Sequence, residues 1–536
     1  MTAGAAAEPA AADAGGAGAG PAHARHEVLV GPADVTAAEV VAVARHGAPV
    51  RLAPAALEAM AASRGVVDRL AASPVPAYGI STGFGALATR HIAPDLRDRL
   101  QLSLIRSHAA GAGNPVEREV VRALMFLRLK TLASGRTGIR PVVAETLAAV
   151  LNSGVTPVVP EHGSLGCSGD LAPLAHCALV LIGEGEATTE QGKRVPGAVA
   201  LQRAGITPVR LAVKEGLALI NGTDGMLGML ILACADLAAL CTAADVIAAM
   251  SVEALLGTDQ VFLPELQLPL RPHPGQAVSA DNMLRVLAGS QIVASHRDGD
   301  TRVQDAYSLR CAPQVTGAVR DTLAHAETVA ARELAAAIDN PVVLPDGRVS
   351  SNGNFHGAPV GYVLDFLAIA VADLGSIAER RTDRLLDPAR SGGLPPFLAQ
   401  NAGVDSGLMI AQYTQAGMVA ENKRLAAPAS VDSIPSSAMQ EDHVSMGWGA
   451  ARKLRSALAN LRQILAIELV AAARGIDLRA PLRPSPATAA AIAELRKSVP
   501  GPDADRFLAP ELAAADDLLR SGRLTGAVSA VAGGLG

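Results

Sequence analysis

The sequence predicts a mainly α-helical protein built on a bundle of long helices, and three observations carry that prediction. Half of the 536 residues are apolar, with alanine and leucine in the lead, while aromatic residues make up only 2%. That balance favours helices over a β-sandwich. Leu454, Leu458, Leu461, Leu465 and Leu469 recur at helical spacing, so one stripe of a long helix faces a core. Met226 to Leu256 is apolar on most sides, yet Asp236, Asp245 and Glu253 interrupt it. Charges at that density are costly in lipid, so the stretch reads as a helix buried in a bundle or subunit interface, with no membrane partner.

A chain of this length can bury a large core and hold more than one region. Residues 1–25 are rich in Ala and Gly. They read as a disordered tail, without the basic start and leucine-rich run of a signal peptide. A smaller mixed N-terminal region is expected over 26–225, the long-helix bundle over 226–475 and a C-terminal helical cap over 476–536. The net charge of −5 gives no footprint for nucleic acid. Cys167, Cys177, Cys234, Cys241 and Cys311 are odd in number and lack CxxC spacing. This argues against a disulfide framework or a zinc site and fits a reducing, cytoplasmic setting.

In chain order, His26 to Gly31 reads as a short strand, and Ala37 to Ala44 and Pro54 to Ala72 as helices. Tyr78 to Gly85 is a glycine-punctuated loop. Leu100 to Ala110 is helical and carries Ser107 and His108. Asn114 can cap, and Pro115 can open, a helix that runs to about Ser134 and stops at Gly135. Another helix covers Arg140 to Asn152. A Gly-rich segment, Gly163 to Leu174, leads into a helix from about Ala172 to Gly183. Asn221-Gly222 marks a turn before the long helices of Met226 to Leu256. Asp281 to Ala288 is helical, and Val303 to Gln314 holds Gln304, Tyr307 and Arg310. Val342 to Val349 reads as a hairpin with a Pro-Asp-Gly turn that presents Asn352 to His356. Helices over Pro359–Arg381 and Gly407–Leu425 flank a Gly/Pro-rich loop. Ser436 to Gly447 is a polar block containing Glu441. The last long helix spans Ala451 to Arg474, and Gly475 stops it. There is no internal repeat.

The Gly163–Leu174 segment carries the chemistry. It is not a phosphate loop, because Gly-Lys-Ser/Thr is absent and its glycines run G-x-x-G-x-x-G. A tight turn here lets the amide nitrogen of Gly169 attack the carbonyl carbon of Cys167, which closes a five-membered ring with loss of water. Loss of the Ser168 hydroxyl as a second water leaves an exocyclic methylidene. Only a glycine nitrogen approaches a neighbouring carbonyl with no side chain in the way. The product is an electrophile that no standard side chain supplies. On Ser168-Gly169 alone the plainer reading prevails, a glycine-rich turn before a helix capped by Asp170, since short motif matches are weak.

The whole twelve-residue segment closely resembles the signature of the aromatic amino acid ammonia-lyases, their histidine-acting branch in particular. In that family Ala-Ser-Gly forms a 4-methylidene-imidazol-5-one (MIO) group. Cys167 stands here in place of the Ala, Ser81 where Asn is frequent, and Ala306 where Pro is usual. Six blocks in matching order carry the resemblance over nearly all of the chain beyond the tail. It implies a self-formed MIO from Cys167, Ser168 and Gly169, with no external cofactor and no metal. Tyr78 is implied as the base for the β-proton, with a lowered pKa. Arg310 is implied as the carboxylate clamp. Asn221 and Gln304 are implied to polarise the MIO or hold the carboxylate, Tyr307 to position or shuttle protons, and Phe355 to wall the pocket. The resemblance also implies a mainly helical homotetramer whose active sites are shared between subunits.

The resemblance implies that substrate choice rests on His108 and Glu441. A carboxylate against a benzene ring would be buried unpaired, whereas an imidazole N–H gives it a charge-assisted hydrogen bond. The expectation is non-oxidative loss of ammonia from L-histidine, giving trans-urocanate and opening histidine degradation. An MIO-dependent tyrosine or phenylalanine ammonia-lyase or aminomutase is the alternative. A catalytically inactive helical assembly protein is a third reading, and the intact Ser168-Gly169, Tyr78 and Arg310 count against it. For Glu441 itself, the plain structural role would be an ion pair with a lysine or arginine.

Overall fold

The computed structural model describes residues 26–31, 35–300 and 302–536; the tail expected over 1–25 lies outside the described residues. Three long helices, Asp224–Ala254, Ala358–Leu386 and Gly447–Asp477, pack on one another at the centre. Ala312–Ala335 and Met409–Leu425 lie alongside them. The predicted stripe of the last long helix faces this core: Leu454, Leu461, Leu465 and Leu469 are fully buried and Leu458 nearly so. Each such leucine contributes about 2 kcal/mol of burial.

All three helices are long and apolar enough to cross a membrane. Their apolar faces are instead turned largely on one another, and buried ion pairs fasten them to each other and to Ala312–Ala335. Arg381 of the second pairs with Glu468 of the third at 2.5 Å, and Asp245 of the first pairs with Arg320 at 2.7 Å. The 224–254 stretch is one continuous helix rather than several.

Strands are short and sit in the first 200 residues, apart from one hairpin. Val28–Val30 pairs parallel with Val50–Leu52. Ala112–Pro115 pairs antiparallel with Pro160–His162. Glu186–Thr188 lies between Thr156–Pro157 and Arg194–Pro196. The Pro-Asp-Gly hairpin forms as Val342–Val343 against Val349–Ser350. Three helices, Pro486–Leu495, Ala509–Arg520 and Arg523–Ala532, close the chain.

Three sequence expectations fail, the first two for tertiary reasons. Asn114 does not cap a helix. It lies in a strand, and its backbone N and Nδ2 both donate to Glu161 Oε1, at 3.0 and 3.2 Å. The helix starts three residues later, at Arg118–Ala133. Gly475 does not stop the last long helix, which continues to Asp477. A Cβ there would lie 3.1 Å from Ala254 Cβ and 3.3 Å from Leu385 Cδ2, so the glycine marks a close helix crossing. The Asp281–Ala288 helix begins earlier, at Pro274, where proline suits the first helical position.

Candidate active site

The Gly163–Asp170 loop joins the Pro160–His162 strand to the Leu171–Leu181 helix. Its end is fixed by a close backbone approach. Asp170 N donates to Gly222 O at 2.7 Å. Gly169 has φ +74°, and a Cβ there would lie 2.0 Å from Gly222 O. No residue but glycine fits.

Asp170 does not cap its own helix. Its Oδ2 accepts from Gly225 N and Met226 N, both at 2.9 Å. It therefore caps the 224–254 helix, whose first N–H groups need an acceptor. Ser164 Oγ donates to Oδ1 at 2.8 Å. Burial pushes the Asp170 carboxyl up to about 7, against the pull of these donors. From behind, Ser445 Oγ donates to Gly166 O at 3.0 Å and Met446 N to Leu165 O at 2.9 Å. Cys167 and Ser168 sit half-buried at the turn between these anchors. Burial raises the Cys167 thiol, and the Glu441 and Asp170 carboxylates add to the effect. It is a protonated thiol near neutrality and hence a weak nucleophile beside Ser168.

Tyr78, His108, Cys167, Ser168, Asn221 and Glu441 line one cavity of about 620 Å³. Tyr78 enters from its glycine loop, where Gly85 N donates to the phenol oxygen at 3.3 Å. Burial pushes this phenol above its ordinary value; the Gly85 N–H opposes, while Glu441 and Asp339 add. The lowered value expected for a base is thus not what a single chain provides. His108 ends the Arg97–His108 helix with Nδ1 2.9 Å from Leu104 O. A carbonyl oxygen only accepts, so Nδ1 carries the proton and Nε2 is left as an acceptor. Burial holds His108 below the usual imidazole range, which keeps it neutral.

Asn221 Nδ2 donates to Asn340 O at 2.9 Å, and its Oδ1 is buried without a partner. Glu441 Oε2 is likewise buried without a partner. The carboxylate makes no ion pair among the described residues, so the plain structural role for Glu441 falls away. Its backbone oxygen accepts from Ser436 N at 2.8 Å, which fixes the turn that carries it. No three His, Cys, Asp or Glu side chains converge as a metal-binding set among the described residues.

The remaining sequence candidates do not reach this cavity in one chain. Gln304 is exposed and Tyr307 is 72% exposed. The Arg310 guanidinium lies 4.4 Å from the centre of the Tyr307 ring, and its Nε donates to Asp305 O at 3.1 Å. Phe355 is half-buried in the loop after the hairpin. Gly169 adjoins Ser168 but does not itself line the cavity. Sequence reasoning missed the anchoring role of Asp170 and passed over Asn340, which also lines the cavity. Asp170 stands in the Gly163–Leu174 segment, but its partners lie 55 and 56 residues away.

The family model for aromatic amino acid lyases matches residues 35–497. A histidine ammonia-lyase of Streptomyces avermitilis is 68% identical over 511 residues, covering 95% of this chain and 100% of that protein. One of Sorangium cellulosum is 52% identical, covering 93% of this chain and 98% of that protein. Among solved structures, a tyrosine aminomutase from Streptomyces globisporus superposes with a TM-score of 0.89 at 38% identity, covering 94% of this chain and 99% of that one. A histidine ammonia-lyase from Trypanosoma cruzi superposes with a TM-score of 0.87 at 39% identity, covering 94% and 96%.

Proposed function

The chain belongs to the aromatic amino acid lyase family, and from that premise we propose that it eliminates ammonia from L-histidine to give trans-urocanate. One observation carries the substrate: Glu441 Oε2 is buried and unpartnered in the cavity that also holds Tyr78, His108 and Ser168. Glu441 and His108 Nε2 present two acceptors to a bound ring. An imidazole carries one N–H when neutral and two when protonated, whereas a phenyl ring carries none. The relatives at 68% and 52% identity, named for histidine, support the same choice.

The loop residues fit a self-formed MIO. Gly169 is in the left-handed region with no space for a side chain, which suits the glycine nitrogen that ring closure onto the Cys167 carbonyl requires. Cys167, Ser168 and Gly169 would form the group, and it supplies an electrophile that makes loss of the α-amine feasible. The other steps fall to the chain's own side chains. Tyr78 takes the β-proton. Glu441 accepts one ring N–H, and the free Nε2 of the neutral His108 accepts the second when the ring is protonated. The Asn221 Oδ1, which has no protein partner, accepts from the substrate's ammonium.

Arg310 clamps the carboxylate, with Gln304, Tyr307 and Phe355 completing the pocket from neighbouring copies in a homotetramer. A guanidinium brought beside the cavity would also pull the Tyr78 phenol down from its single-chain value. The setting is cytoplasmic, and the reaction opens histidine degradation.

The test is incubation of the purified protein with L-histidine, L-tyrosine or L-phenylalanine. Near-ultraviolet absorbance should rise as urocanate forms from histidine alone. Turnover of tyrosine or phenylalanine in preference to histidine would overturn the reading.

A further inference from the structure

The short Glu215–Ile220 helix, whose Leu217 and Ile220 line the cavity, is pinned at both ends to the segment 338–340. At its start Lys214, with no exposed surface, donates from Nζ to Asp339 Oδ2 at 2.5 Å. At its end Asn221 Nδ2 donates to Asn340 O at 2.9 Å. The two anchors adjoin, because Asn340 N donates to Asp339 Oδ1 at 2.8 Å. Arg128 stitches the same parts, donating to Ala218 O at 3.0 Å, Asn221 O at 2.9 Å and Ile338 O at 3.2 Å. Neither Lys214 nor Asp339 lines the cavity.

We propose that Lys214 and Asp339 are positioning residues for the reaction: their buried pair locks the 338–340 segment that orients Asn221, and its negative end sets the electrostatic surroundings of Tyr78. The part concerning Tyr78 rests on its reading as the base. Burial pushes Lys214 down and Asp339 up, and their mutual attraction opposes both movements. The Asp339 carboxylate acts to raise the Tyr78 phenol, as does Glu441 from the opposite loop. The other charges facing the pair are already matched. Arg128 is held by Asp224 at 2.7 Å, and Arg64 by Asp68 at 2.6 Å and Glu215 at 3.7 Å. The Tyr78 loop packs directly on these parts, since a Cβ on the neighbouring Gly79 would lie 2.9 Å from Leu217 Cδ2 and 3.0 Å from Pro341 Cδ. Asp339 is the charge on this side of Tyr78 that a single substitution removes, with Glu441 on the other loop.

The experiment uses the full chain. The sequence has four tyrosines, so the Tyr78 phenol is isolated as the alkaline absorbance difference between each protein and its Tyr78→Phe partner. Asp339→Asn should lower the Tyr78 midpoint by about half a pH unit or more. Lys214→Met/Asp339→Asn should do the same, and it removes the buried pair as a whole, the exchange best tolerated inside proteins. The rising limb of kcat against pH should move down with the midpoint, and Asp339→Glu, which keeps the charge, should restore both. A midpoint that stays in place in folded Asp339→Asn and in the double variant overturns the proposal. If the midpoint moves but the parent protein does not deaminate histidine, the pair's action on Tyr78 stands and the assigned reaction falls.

Discussion

A buried carboxylate oxygen with no partner is unfavourable by about 1–3 kcal/mol, and Glu441 Oε2 stands in that position. A ligand N–H relieves it. Glu441→Gln should therefore lower kcat/KM for L-histidine about 10- to 100-fold, the worth of a charge-assisted hydrogen bond. Steady-state urocanate formation measures this, and an unchanged kcat/KM would take Glu441 out of the substrate site. Six candidates were legible in the sequence because each sits in a short block with its own signal, and the fold gathers Tyr78, His108, Cys167, Ser168, Asn221 and Glu441 around one cavity. Their titration was not legible. The rise at Tyr78 comes from burial and from Asp339 and Glu441, which lie hundreds of residues away in the chain.

Among the elements, the 224–254 helix and the loop before the Leu171–Leu181 helix share one anchor, Asp170. Its folded carboxyl sits at about 7 against an ordinary 3.8. A raised carboxyl binds its proton more tightly in the folded state, so stability is lost as pH rises between those values. The stability of the wild type relative to Asp170→Asn should thus fall by about 1.4 kcal/mol per pH unit between roughly pH 4 and 7. Denaturant unfolding of both proteins across that range checks it, and a difference independent of pH would refute it. Periodicity located the long helices well, because a stripe of leucines is a local property. Helix ends were less legible where a distant partner decides them. Glu161 takes the donors of Asn114, and Ala254 and Leu385 crowd Gly475 into a helix crossing. No spacing rule could have paired Lys214 with Asp339, 125 residues apart.

On the scale of the whole molecule, one chain supplies only part of the proposed chemistry. Arg310 and Tyr307 stack on each other away from the cavity. Tyr362, Phe366 and Ile369 leave an apolar stripe about half-exposed on the 358–386 helix. Such a face supports assembly with further copies. If active sites are shared in a tetramer, Tyr78→Phe and Arg310→Ala proteins, each nearly inactive, should regain about a quarter of wild-type activity when unfolded and refolded together, since mixed assemblies rebuild some intact sites. Light scattering should give four times the 54.4 kDa chain mass. No recovery on mixing would place Arg310 outside the shared site. The most direct test of the central claim is the mass of the peptide spanning Cys167 to Gly169, taken from protein that is turning over L-histidine. A self-formed electrophile predicts a peptide lighter than its encoded mass by two waters, and Gly169→Ala should abolish both the loss and the turnover. An active protein whose peptide keeps its full encoded mass would contradict the account.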